Sequence, residues 1–190
     1  MTTVLLFHHA HGQTTGFLAF ADTLREGGHE VLAPDLYDGH AFASLDEGVA
    51  YAREVGFPEI IHRGSQSASE LPGDIVYAGF SLGVLPAQSL AQTRPGARGA
   101  LLFHACLPAS EFGDPWPEGV PLQIHLMEAD PWADEDRPAA EALAGEVEGA
   151  ELFLYPGSGH LFADAGLDDY DEQAASLLVA RTLAFLDRVG

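Results

Sequence analysis

Apolar residues along the chain fall into two alternating patterns. Short, nearly continuous runs occupy Val4 to Phe7, Glu30 to Ala33, Ile75 to Ala78, Ala100 to Phe103, Leu122 to Met127 and Glu151 to Tyr155. Runs of that length, bounded by Gly, Pro and polar residues, predict strands covered on both faces. Between them, Phe17 to Glu26, Leu45 to Val55, Ser81 to Thr93, Arg137 to Val147 and Asp171 to Val189 carry apolar residues at helical spacing and predict amphipathic helices. Strand and helix in alternation imply right-handed βαβ units, hence an α/β fold: a doubly wound, mostly parallel sheet with helices on both faces. Ligands of such sheets collect outside the carboxyl ends of the strands. Gly27-Gly28 sits where the first helix should end. Two stretches break the pattern, the Ser-rich Gly64 to Gly73 and the Pro-rich Pro108 to Pro121, and both read as surface loops.

One junction carries chemistry. In Ile75-Val76-Tyr77-Ala78-Gly79-Phe80-Ser81-Leu82-Gly83 a strand runs into Gly-x-Ser-x-Gly, and a helix follows at once. A nucleophile elbow needs this setting: a tight strand-to-helix turn with the serine in a strained conformation and small residues on either side. The helix start behind Ser81 aims the Leu82 amide at a developing oxyanion. Outside that setting the same five residues would mark an ordinary βα turn.

A serine nucleophile needs a base, and the base an orienting acid. Pro156-Gly157-Ser158-Gly159-His160 follows the last predicted strand and brings His160 to the same sheet edge as Ser81. Glu128-Ala129-Asp130 ends the strand before it, which favours Asp130 as the acid over its neighbours Glu128, Asp134 and Asp136. The chain order Ser81, Asp130, His160 is one in which such triads occur.

Taken together, these segments resemble the dienelactone hydrolase family of the α/β-hydrolases. The resemblance spans His8-His9-Ala10-His11-Gly12 after the first strand, Ala33-Pro34-Asp35-Leu36-Tyr37-Asp38-Gly39 after the second, the elbow at Ser81, Asp130, and His160-Leu161-Phe162. It implies one α/β-hydrolase domain over residues 1–190 without a cap, and an oxyanion hole formed by the amides of Leu82 and Ala10. It implies hydrolysis of a small ester, thioester or lactone through an acyl-enzyme, with no cofactor and no metal. Three positions depart from the family. Ser81 stands where the best-known members carry cysteine. His9 replaces the glutamate that contacts the resting thiol, and Asp164 replaces an arginine that helps hold the lactone carboxylate. An aspartate there would disfavour an anionic substrate.

The substrate pocket is expected to draw on His9, His11, Tyr37, Phe112, Trp116 and Trp132. The competing reading of the aromatic residues is that they pin Pro-rich loops to the sheet. A metal site at His8, His9 and His11 is disfavoured, because successive residues along an extended chain point apart. Cys106 lacks a glycine-flanked elbow and reads as a buried structural thiol. The non-enzymatic alternative is a ligand-binding or interaction module on the same scaffold.

Charge narrows the partners. Eight basic residues against 29 acidic ones give a net charge of −21, which opposes binding to nucleic acid or to an anionic membrane surface. The chain opens Met1-Thr2-Thr3 directly into a strand, without the pattern of a signal peptide, and its one cysteine fits a reducing compartment, so a cytoplasmic location is expected. A homodimer is compatible with all of this.

Overall fold

The computed structural model describes residues 1–113 and 115–190; Asp114, inside the Pro-rich segment, lies outside the described residues. Six strands form one sheet, all parallel, in the order β2-β1-β3-β4-β5-β6. They are β1 (Thr3–Phe7), β2 (Glu30–Leu32), β3 (Val76–Phe80), β4 (Gly99–Phe103), β5 (Leu122–Met127) and β6 (Glu151–Tyr155). The helices are α1 (Thr15–Glu26), α2 (Leu45–Val55), α3 (Phe57–Ala68), α4 (Val84–Thr93), α5 (Arg137–Glu146) and α6 (Glu172–Val189).

The two-residue period of each strand sorts its side chains onto two cores. Val4, Leu6, Val76, Ala78 and Leu101 face Phe17, Phe20 and Leu24 of α1 and Leu178 and Phe185 of α6. Leu5, Phe7, Tyr77, Leu102 and Ile124 face the other way, onto Ala52, Ile60, Val84, Ala87 and Leu143 of α2 to α5. Burial on both faces is what removes polar alternation from these strands. Among the described residues no element forms a cap over the carboxyl edge, and no helix is long and apolar enough to cross a membrane.

Strand order creates the crevice. From β1 the chain steps outward to β2, then returns to β3 on the other side of β1. The connections after β1 and β3 therefore leave in opposite directions, and a gap opens between them at the carboxyl edge. Ala10 and Ser81 sit in those two connections.

Helix α3 is the main departure from the sequence reading, which treats Gly64 to Gly73 as loop. Gly56, at φ 93°, turns the chain between α2 and α3, and Pro58 occupies the first turn, where its missing N–H costs nothing. The serines that imitate a loop are absorbed by the helix: Ser65 and Ser67 hydroxyls donate to the carbonyls of Ile61 and Arg63 at 3.0 and 2.9 Å. The small residues allow close approach to α4, with Gly64 against Pro86. The turn after α3 is tied by Arg94, which donates to the Leu71 carbonyl at the far end of α4, so this segment does not cover the crevice.

Because α3 is held by a narrow apolar stripe, Ile60→Ala should lower the unfolding free energy by about 2–4 kcal/mol. Urea denaturation checks this; a loss below 0.5 kcal/mol, on the order of a surface change, would mean that α3 is not part of the cooperative core.

Candidate active site

Among the described residues Ser81 is one of three non-glycine residues with positive φ, at 49°, a conformation that costs L residues about 1–2 kcal/mol. The flanking glycines make that turn possible. A Cβ on Gly79 would lie 2.6 Å from the Val84 nitrogen, and one on Gly83 would lie 2.7 Å from the His8 carbonyl oxygen, inside any tolerable contact. The elbow is thus packed directly onto the end of β1. Ser81–Gly83 forms a 3₁₀ turn before α4 begins at Val84, three residues later than helical periodicity predicts.

His160 and Asp130 reach Ser81 from the other side. Pairing of β5 with β6 continues past the strand ends, Glu128 N–H to the Tyr155 carbonyl at 2.8 Å and Ala129 N–H to the Gly157 carbonyl at 2.9 Å. This holds the two following loops together. Ser81 Oγ lies 2.7 Å from His160 Nε2, and His160 Nδ1 lies 2.6 Å from Asp130 Oδ2. A carboxylate can only accept, so Nδ1 carries the proton and Nε2 is free to accept the serine hydroxyl. Asp130 is 1% exposed, and its other oxygen accepts the Trp132 N–H at 2.9 Å. Asp136, weighed as an alternative acid, instead accepts the Cys106 N–H at 3.2 Å.

Across the crevice, Ala10 is 1% exposed and its N–H donates to no group among the described residues. A buried amide without a partner is costly unless something else is to fill it. The peptide that follows is clamped. Gly48 of α2 packs so tightly on the Ala10 carbonyl that any side chain there would collide, and Phe42 N–H donates to the His11 carbonyl at 3.0 Å.

The two positions where the sequence departs most in charge from the family it resembles are partners. His9 Nε2 lies 2.7 Å from Asp164 Oδ2, with both side chains wholly buried. Asp164 also accepts from the Thr14 hydroxyl and, at 2.8 Å, from Gly166 N–H. Burial pushes the Asp164 pKa up, but these donors outweigh it and leave it lowered. Burial lowers the His9 pKa despite its carboxylate partner. The pair is therefore a neutral imidazole donating to a carboxylate, and His9 Nδ1 is left to accept the His11 N–H at 3.3 Å. Asp164 thus lies beneath the β1 loop and does not face substrate, which removes its expected direct repulsion of anions. His9 supports that loop and does not line a pocket.

Other pocket expectations divide. Trp132, 48% exposed, lies with its ring 5.9 Å from the His160 ring, at the rim of the site. His11 lines a cleft beside it. Tyr37 is instead a core residue, fully buried, its hydroxyl donating to the Gly48 carbonyl at 3.1 Å. Trp116 and Phe112 lie away from the site, because the chain after β4 runs down the side of α4. Gln88 exchanges hydrogen bonds with Leu107, and Gln92 donates to the Ala109 and Gly113 carbonyls at 2.9 and 2.8 Å, bracketing Phe112 about 12 Å along the helix from its start. Trp116 is 8% exposed, and its indole N–H donates to the Val120 carbonyl at 2.8 Å, next to the amino end of β5. Trp116 pins the Pro-rich loop, while the stretch around Phe112 is held by Gln92.

The histidines after β1 diverge. His8 donates to the His9 carbonyl and accepts Leu36 N–H at 2.8 and 2.9 Å, tying the β1 loop to the segment after β2. No group of three or more His, Cys, Asp or Glu among the described residues is arranged to hold a metal. Cys106 is buried, and burial pushes its thiol up to about 12. Sequence reasoning missed His104, fully buried at φ 69° with its ring 6.2 Å from that of His160 and 4.6 Å from Phe162. A histidine after a strand carries no local signal of this packing.

The family profile of the dienelactone hydrolases matches residues 1–190. Among solved structures, a dienelactone hydrolase-like promiscuous phosphotriesterase from metagenomic libraries is 19% identical, with a TM-score of 0.75, over 100% of this chain and 87% of that one. A putative hydrolase of the α/β superfamily from Xanthomonas campestris pv. campestris is 22% identical, with a TM-score of 0.63, over 97% and 99%. A putative dienelactone hydrolase from Klebsiella pneumoniae subsp. pneumoniae is 18% identical, with a TM-score of 0.73, over 99% and 87%. At these identities the likeness establishes the fold. No curated protein matches the sequence.

Trp116→Ala should cost about 3 kcal/mol or more of stability while leaving ester kinetics unchanged, a split read by urea denaturation beside a substrate panel. A second expectation concerns pH. Desolvation lowers His8 to about 4 and His125 to about 3, and also lowers His9 and His104. In the unfolded chain these groups titrate near 6.5, so the unfolded state binds more protons below that pH and stability falls as pH falls. Asp136, raised to about 6 chiefly by burial, opposes them by one proton. As pH falls from 6 toward 4 unfolding should therefore take up protons and the urea midpoint should drop; a flat midpoint across that window would contradict the buried neutral histidines.

Proposed function

Because the chain belongs to the dienelactone hydrolase family, we propose that this hydrolase of ester substrates works by acyl transfer through Ser81, with His160 as base and Asp130 as its orienting acid. The observation that carries the reading is the unbroken hydrogen-bonded line Ser81, His160, Asp130, beside an Ala10 N–H that has no partner among the described residues. His160 takes the hydroxyl proton as Oγ attacks the carbonyl carbon. The negative charge that develops on the carbonyl oxygen is met by the N–H groups of Ala10 and Leu82. Collapse expels the alcohol, which leaves with the proton from His160. Water then adds to the acyl-enzyme with His160 again as base, and the carboxylic acid is released.

The serine distinguishes this chain from cysteine members of the family. A thiolate can be poised by its pKa alone, whereas the Ser81 hydroxyl gives up its proton only during attack, which makes Asp130 and His160 indispensable to the first step. The uncapped edge favours small esters, thioesters or lactones, with the Trp132 ring as one apolar wall. A reducing cytoplasm suits a chain with a single cysteine.

Replacing Ser81 by Ala should lower kcat on p-nitrophenyl acetate by about 10³-fold or more with no loss of thermal stability, since Ala relieves none of the packing. A fluorophosphonate should label Ser81 in the wild type only. Full activity in the variant, or a folded wild-type protein that neither labels nor turns over, would falsify the triad and favour a ligand-binding module.

A further inference from the structure

The charged side chains lining the cleft beside these loops are all acidic. The cleft encloses about 400 Å³ at the carboxyl edge and is lined by His11, Ser44, Leu45, Leu167, Asp168 and Asp169 among others, with no arginine. One wall belongs to the loop that carries Ala10. The other is tied to the His160 loop, where Leu161 N–H donates to Asp169 Oδ2 at 3.3 Å.

His11 lines this space with one ring nitrogen unused. The residue is 7% exposed, and Nδ1 donates to the Phe42 carbonyl at 3.0 Å. A carbonyl only accepts, so the proton of that bond sits on Nδ1, and Nε2 is the ring nitrogen this bond does not use. Nε2 has no partner among the described residues and is not among the buried atoms sealed from solvent, so it is open to solvent on a residue that lines this cleft. Asp168 and Asp169 add exposed carboxylates on the opposite wall. The one donor-rich element nearby, the start of α2, is satisfied by its own residues: Ser44 Oγ accepts Glu47 N–H and Glu47 accepts Ser44 N–H, each at 3.3 Å. A buried acceptor and two carboxylates facing one hollow select a group that is positive and donates hydrogen bonds.

We propose that this cleft is the subsite for an ammonium group carried by the ester substrate, with His11 Nε2 accepting one of its N–H bonds and Asp168 and Asp169 supplying the counter-charge. The inference rests on the hydrolase reading above and names its substrate class. It replaces the overall acidity of the chain, and the buried Asp164, with particular groups at the site.

Two matched ester series test it. One varies the acyl group of p-nitrophenyl esters: 6-aminohexanoate, its neutral isostere heptanoate, and the anionic half-ester of heptanedioate. The other compares the acetates of 6-aminohexanol and heptan-1-ol. In at least one series the wild type should favour the cation over its isostere by about tenfold in kcat/KM. Asp168→Asn and His11→Phe should each bring that ratio toward one, and Asp168→Glu should retain it. Because the ratio is read within each enzyme, a general loss of activity from a disturbed β1 loop cancels. Ser81-dependent hydrolysis of the neutral esters without a cation preference overturns the subsite and leaves the hydrolase reading standing. A preference undiminished in both Asp168→Asn and His11→Phe also overturns it, since the charge of the whole protein would then be its source. Hydrolysis of none of the esters overturns both.

Discussion

A backbone contact with no room for a methyl group sets the geometry on which the site depends. Gly83 of the elbow lies on the last carbonyls of β1, and Gly79 lies on the first turn of α4. The two contacts lock the strand-to-helix turn, and the turn forces Ser81 into a positive-φ conformation that an unconstrained chain would leave. Strain of this size persists only because the β1-β3 pairing and the burial of α4 between strands and α3 hold the turn from both sides. Moving the elbow away from β1 would separate Ser81 from the Ala10 amide as well. The glycines thus fix both the proposed nucleophile and its distance from the proposed oxyanion donor.

The opposite half of the crevice depends on a buried polar pair. His9 and Asp164 join the β1 loop to the segment following His160, and the imidazole is held in one tautomer because its two nitrogens have different partners. A charge sealed in the interior is tolerable only when its hydrogen bonds are complete. Asp164 meets that condition with His9, Thr14 and Gly166. Substituting one position of the pair alone would leave a carboxylate or an imidazole unanswered, a physical reason for the two departures from the family pattern to occur together.

Acidity, at first a property of the whole chain, acquires structure in the fold. Asp130 and Asp164 are spent on histidines in the interior, Asp136 on a backbone amide, and Asp168 and Asp169 remain facing the cleft. Of these five, the last two are exposed on a hollow that could receive a ligand. Net charge by itself could not separate these roles, because it counts every carboxylate alike, whether its oxygens are committed to interior donors or open to a ligand.

How much of this was legible depends on the range of the interaction concerned. Strand runs, helical spacing, and the Gly-x-Ser-x-Gly junction are local, so the alternation of elements, the parallel sheet and the positions of Ser81, Asp130 and His160 at one edge follow from the sequence itself. Helix α3 was hidden because its serines bond within their own helix, a pattern that resembles loop chemistry in one dimension. The sequence places Trp116, Phe112 and Tyr37 in loops after strands, and such loops ordinarily stay at the carboxyl edge. The Gln88 and Gln92 contacts instead draw the chain after β4 down along α4, and the Gly48 carbonyl draws Tyr37 into the core. The sequence by itself determined which residues could do chemistry and on which edge. Only the tertiary structure decided which of them share a hydrogen bond, that Asp164 faces His9 and not the substrate, and that His11 keeps a nitrogen free, because each rests on contacts between segments 30 to 155 residues apart.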